Sequence, residues 1–203
     1  MLYFECSKQR KAPEHIMARR PRVDLVEIDG ARINDVSRLY FIWKDLNIGL
    51  RNFVSRGINF PEAISEPMAC YALGYSWNKG SGGDAVTPDG RIVEMKASSN
   101  FDGDLSSFGP ETTFDELYFL RLHQRDNHLY IYNLNLNGEE LGNLAISRSQ
   151  TVRDQQLQGR RPRFSIIKQI IEPYDLQPEL IFDIRTMQVL EPEEVDIADS
   201  ELE

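Results

Sequence analysis

GSGGDAVTPDGRIVEMKAS, residues 80–98, is the stretch on which the fold turns. Pro88-Asp89-Gly90 at its centre has turn chemistry: proline presets φ, aspartate bonds nearby backbone, and glycine accepts a positive φ. The β-branched and apolar residues on either side predict two short strands, 84–86 and 91–97, joined as a hairpin. Side chains alternate along a strand, so Glu94 and Lys96 share one face while Val93, Met95 and Ala97 point to the other, toward a core. Pairing the two arms carries the Asp84 carboxylate across toward Glu94, with Lys96 beside them. Gly80, Gly82 and Gly83 remove side chains just before Asp84, which would let a bulky phosphate approach.

Upstream of the hairpin the pattern is helical. In 34–56, Val36, Leu39, Tyr40, Trp43, Leu46, Leu50 and Phe53 recur at spacings of three and four, with Asn34 or Asp35 as cap. A second helix starts after Asn59, with Pro61 in its first turn, and runs toward Gly74. Pro67 should kink or restart it, with Ser65 as the new cap. Downstream, 116–122 and 128–133 read as strands turning at Asp126-Asn127, the isoleucines of 166–171 suggest a helix, and 180–185 a late strand. The expected class is α/β (α+β): a mixed central sheet, flanked by helices, with the hairpin carrying the site.

At 203 residues the chain has the length of one ordinary domain, expected over 1–190 with a basic arm at 1–22 and an acidic, disordered tail at 191–203. The net charge of −9 argues at first against a polyanionic partner. Its distribution changes that: the last thirteen residues, EPEEVDIADSELE, carry seven acidic groups and no basic one, so the body is nearly neutral. Basic residues gather near the start (Lys8, Arg10, Lys11, Arg19, Arg20, Arg22) and again from Arg148 to Lys168. They are either solvated surface or two zones that face DNA. No apolar run spans a bilayer and no secretory signal is evident, so a soluble, cytoplasmic protein is expected. Cys6 and Cys70 lack the spacing of a zinc or redox pair, and the three histidines are scattered, so carboxylates must supply any metal site.

Two carboxylates converging from neighbouring strands form an oxygen site suited to a hard ion such as Mg2+. With a strand-held lysine alongside, the arrangement fits phosphodiester hydrolysis, where a metal activates water and a fixed cation offsets developing charge. The plainer reading is that Glu94 and Lys96 merely keep a strand edge soluble.

The order helix, Gly-Asp on a strand, short turn, then apolar-Glu-apolar-Lys resembles the PD-(D/E)XK nuclease core, although no proline precedes Asp84. The resemblance implies a restriction endonuclease-like fold and makes Asp84, Glu94 and Lys96 catalytic, with Asp84, Glu94 and Ala97 placed at the metal. NFPEAISEPMACYALGY (59–75) and SSFGPETTFDELYFL (106–120) extend it, over about 57–135, to small type II restriction endonucleases, including a group that cuts GCNGC-like interrupted palindromes. It further implies that a helix glutamate, Glu66 in preference to Glu62, approaches the centre, and that Ser106 and Ser107 touch phosphates. Gln155, Gln156, Gln158, Arg160, Arg161 and Arg163 in RDQQLQGRRPRF have base-reading chemistry, or else form a merely exposed polar connection. The expected enzyme is a homodimer acting on double-stranded DNA at a short palindrome, with a companion DNA methyltransferase as a separate protein. A repair or recombination nuclease of the same fold and a noncatalytic nucleic-acid-binding protein are the alternatives.

Overall fold

The computed structural model describes residues 22–54, 57–110 and 113–192. The calls on a basic arm at 1–22 and a disordered tail at 191–203 lie almost wholly outside these residues. In chain order the elements are β1 Leu25–Val26, α1 Gly30–Leu50, α2 Glu62–Leu73, β2 Ser76–Asn78, β3 Ala85–Val86, β4 Ile92–Ser98, β5 Ser106–Ser107, β6 Glu116–His123, β7 His128–Asn133, α3 Gly138–Asn143, β8 Ala145–Ser147, β9 Gln150–Thr151, α4 Val152–Leu157, β10 Arg163–Phe164, a π-helical turn at Ile167–Ile171, β11 Leu180–Asp183 and β12 Gln188–Leu190.

Eight strands form one mixed sheet in the order β1-β2-β3-β4-β6-β7-β11-β12. Its neighbours are antiparallel except β4 and β6, which run parallel with Lys96 opposite Phe119. The period of two along β6 and β7 sorts side chains between two cores. Tyr118, Leu120, Leu122, Leu129 and Ile131 face α1 and α2. Leu117, Phe119, Tyr130 and Tyr132 face the layer containing α3, α4 and the π-helical turn. The expected mixed sheet between helices is therefore present, and it is larger than the small sheet read from the sequence.

The hairpin forms as read, with Ala85 opposite Val93 and Val86 opposite Ile92. Gly90 donates its amide to the Thr87 carbonyl at 2.9 Å and adopts φ 91°, the conformation that favours glycine. Val93 and Met95 are buried, but Ala97 is exposed and does not enter the core.

Helix α1 starts a turn earlier than expected. Asp29, not Asn34 or Asp35, is the cap and accepts the Arg32 amide at 2.8 Å. The helix stops at Leu50 instead of continuing to Arg56. Its inward face is Ile33, Ser37, Tyr40, Trp43 and Asn47. Leu39, Leu46 and Phe53, which the spacing assigned to the same apolar face, point outward and are at least half exposed. The two buried polar positions are satisfied: Ser37 Oγ donates to the Ile184 carbonyl at 2.7 Å, and Asn47 Oδ1 accepts the Ile58 amide at 2.8 Å.

Helix α2 absorbs Pro67 without a restart. Ser65 is not a second cap, because it is buried and its hydroxyl donates back to the Pro61 carbonyl at 3.3 Å, a bond made within a continuing helix. Gly74 ends α2 at φ 71°, and Tyr75 donates its amide to the Cys70 carbonyl at 2.9 Å.

Candidate active site

The loop between β2 and β3 delivers Asp84, and Asn78 holds that loop. Its buried side chain accepts the amides of Asp24 and Gly80, each at 3.0 Å, and donates to the Gly83 carbonyl at 2.9 Å. A Cβ at Gly80 would strike the Arg22 carbonyl, and one at Gly83, where φ is 98°, would strike Ile92. These two glycines answer to internal packing, a role that differs from the phosphate clearance expected of them. Gly83→Ala is expected to cost about 2–4 kcal/mol, read as a lowered urea midpoint, because neither the backbone nor Ile92 has room to yield.

Asp84 donates its amide to the Val93 carbonyl at 2.8 Å, and its Oδ2 accepts the Met95 amide at 2.7 Å. The carboxylate is thus fixed against the backbone immediately after Glu94. Burial, and then the charge of Glu94, raise the Asp84 pKa above the usual carboxylate range, opposed by the Met95 amide and Lys96. Lys96 Nζ bonds Glu94 Oε1 at 2.5 Å and the Met95 carbonyl at 3.2 Å, and lies 5.6 Å from the centre of the Phe108 ring. The three residues expected to converge do so.

Glu66 projects from α2 toward the same place and accepts the Trp77 indole N–H on Oε2 at 2.8 Å. Its pKa is pushed up to about 8, first by burial and then by the Asp84 charge, with Trp77 pulling the other way. Glu62 and Glu66 both line a cavity of about 560 Å³ that also holds Asp84 and Glu94. Trp77 and Asn78 went unrecognised in the sequence; an asparagine just ahead of a glycine-rich turn was the available signal for the latter.

A second hollow, of about 830 Å³, shares Glu62 and Glu66 with the first and is lined by Lys96, Ala97, Ser107 and Arg161, with Asn47 and Arg51 from the α1 side. Ala97, grouped with Asp84 and Glu94 on sequence grounds, lines this hollow and not theirs. Gln158, Arg160, Arg161 and Arg163 are exposed, and Arg163 lies opposite Ser107 in the β5–β10 ladder. Gln155 and Gln156 belong to α4 and not to a loop. Gln156 donates to the Gly109 carbonyl at 2.8 Å, so its amide steadies the wall of the first cavity. Ser106 is buried, gives its hydroxyl to Asp104 at 2.8 Å, and with Ser107 lines the second hollow.

Asp104 had no sequence signal. Its carboxylate accepts Ser106 Oγ, Ser165 Oγ at 2.6 Å, the Ile166 amide at 2.9 Å and the Ile167 amide at 3.1 Å. It thereby ties the segment after β4 to the start of the π-helical turn.

Comparison with known proteins bears on what such a site does. The family model described as Bsp6I restriction endonuclease matches residues 28–173. The type II restriction enzyme Bsp6I of Bacillus sp. (strain RFL6) is 50% identical over 168 residues, which are 82% of this chain and 97% of that protein. The chain belongs to the Bsp6I restriction endonuclease family. The span matched to the Bsp6I family contains Glu66, Asp84, Glu94, Lys96 and the arginine-rich segment around 160, and stops short of β11 and β12.

The donor set of this Bsp6I family member can be tested for a divalent metal. Among the described residues, no group of three or more His, Cys, Asp or Glu side chains converges as a ready-made cage. A hard ion that retains water and takes substrate phosphate as ligand needs only one or two carboxylates from the protein. Asp84 and Glu94 meet that need, and their half-buried like charges are what a cation would offset. The residues fit.

Proposed function

We propose that this member of a restriction endonuclease family hydrolyses phosphodiester bonds of double-stranded DNA at a short palindromic site in a Mg2+-dependent reaction centred on Asp84, Glu94 and Lys96. The observation that carries the residue assignment is the convergence of these three side chains, with the Asp84 carboxylate fixed at the Met95 amide and Lys96 on Glu94. Asp84 and Glu94 would hold the metal; Ala97, placed at the metal by the resemblance, lines the neighbouring hollow. When bound, Mg2+ supplies Lewis acidity toward a phosphoryl oxygen and lowers the pKa of water.

The chain's own groups do the rest. Lys96, fixed on β4, orients the attacking water and offsets charge gathering on the phosphate. Its bond to Glu94 sets the ammonium before substrate arrives, so little reorganisation is needed. Glu66, half-buried and held by Trp77, shapes the wall facing Asp84 and can keep a proton at neutral pH. The exposed Arg160, Arg161 and Arg163 suit guanine O6 and N7, which agrees with a G·C-rich site of the GCNGC-like kind; Gln158 suits adenine or a phosphate. Ser107 beside the second hollow is placed for backbone contact.

A homodimer, with one centre per strand, follows from matching protein symmetry to a palindrome. A cytoplasmic location and a separate methyltransferase that protects host sites complete the reading. Among the described residues no helix is long and apolar enough to cross a membrane.

Plasmid DNA incubated with the protein and Mg2+ is expected to give discrete fragments, and excess chelator should abolish them. A smear would mean cutting without a sequence code, as in a repair nuclease. Retained binding with no cleavage at any divalent ion would mean that the hairpin charges are not catalytic. Sequencing the fragment ends gives the site and the scissile bond.

A further inference from the structure

Helix α1 has two apolar faces. The inward one packs on the sheet. The outward one consists of Leu39, Ile42, Leu46 and, just past the helix end, Phe53. These residues are 51%, 64%, 52% and 85% exposed, and their spacing of three, four and seven keeps them in one line along the axis. Val54, also exposed, follows Phe53 beyond the helix end. Side chains of this size leave several hundred Å² of apolar surface, about the size of the largest patch on an ordinary monomer and the apolar centre of the roughly 800 Å² half-interface that a stable complex uses, the rest of which would come from the flanking rim.

We propose that this stripe of α1 is the surface on which a second copy of the chain docks, as an antiparallel helix pair across a two-fold axis near Ile42. The inference rests on the reading that a palindrome is cut by a symmetric dimer, and it names the face that builds the dimer.

Charge favours a second copy over an unrelated partner. Arg38 and Asp45 are seven residues apart and flank the stripe on the same side. An antiparallel two-fold crossing between Phe41 and Ile42 sets Arg38 of each protomer alongside the partner's Asp45, so the edge of the stripe is complementary to itself. Such rim pairs fix register more than they add affinity. Among the described residues Arg38 makes an exposed, weak pair with Asp35 at 3.6 Å, which leaves it available.

The test is sedimentation equilibrium of the full chain at micromolar concentration, with the double variant Ile42→Asp/Leu46→Asp and, as a control for an exposed apolar residue elsewhere, Tyr174→Asp. The expected result is twice the chain mass for wild type and control, half that for the double variant with unchanged circular dichroism, and at least about a tenfold fall in double-strand breaks relative to nicks. A folded double variant that stays dimeric overturns the surface while leaving the symmetric dimer intact. A wild type that is monomeric while cutting both strands overturns the dimer reading itself. If the double variant does not fold, Arg38→Asp and Asp45→Arg decide: each alone should weaken the dimer and the two together restore it, and a dimer indifferent to both overturns the proposed register and face.

Discussion

Lys96→Ala is expected to lower the rate of DNA cleavage by about a hundredfold to a thousandfold, the scale on which removal of one preorganised group acts at a transition state. Stability and DNA affinity should change little. Lys96 is on β4 with its ammonium on Glu94 and over the face of the Phe108 ring. Truncation removes neither a core side chain nor a backbone bond of the β4–β6 ladder. What it leaves is Glu94 facing Asp84 without a cation between them, at a cost of about 1 kcal/mol, which bound metal would offset. Cleavage under single-turnover conditions with saturating DNA, beside a binding titration in Ca2+, separates the two effects. Lys96→Arg should rescue poorly, because a planar guanidinium does not place a point charge where the ammonium stood. A Lys96→Ala protein that cuts at the parental rate would remove the centre assigned to Asp84, Glu94 and Lys96.

The hairpin, β6, β7 and β11 were legible because their signals are local. Turn residues at 88–90 fix the chain reversal, and runs such as ELYFLRLH have no plausible state other than strand. The two-residue ladders β1–β2 and β5–β10 were not legible, since each exists only through a partner about fifty residues away. Helix α1 was found but turned the wrong way in part. Apolar residues all round it let the spacing admit Leu39, Leu46 and Phe53 to the core, whereas the sheet took Ser37 and Asn47 because backbone groups of Ile184 and Ile58 satisfy them. At the site, the alternation of acidic, basic and apolar residues in IVEMKAS announced Glu94 and Lys96. Asn78, Trp77 and Asp104 had no such pattern, because their partners come from other elements.

Asp104→Ala should cost about 3–5 kcal/mol, a large loss for a single polar side chain. Four donors converge on this one carboxylate, and two are backbone amides at the start of the π-helical turn. Alanine leaves Ile166 and Ile167, both buried, with amides lacking that acceptor, and each such group costs about 1–3 kcal/mol. Asp104→Asn should recover part of the loss, since its carbonyl oxygen accepts but its amide nitrogen meets donors. The effect should reach catalysis as well. The segment from 99 to 110 leaves the end of β4, pairs Ser106 and Ser107 with β10, and reaches Gly109 in the wall of the Asp84 cavity. Untying it from the 163–167 segment loosens the arginine-bearing strand and the cavity wall together. At a temperature where the folded fraction is still near one, the single-turnover rate of the alanine variant is expected to fall about tenfold to a hundredfold, the scale on which misplacement of a site acts. Urea titration and single-turnover cleavage of the same preparation read the two effects separately. A loss of stability with an unchanged rate would restrict Asp104 to holding the second core, and an unchanged stability would mean that the four bonds do not form in solution.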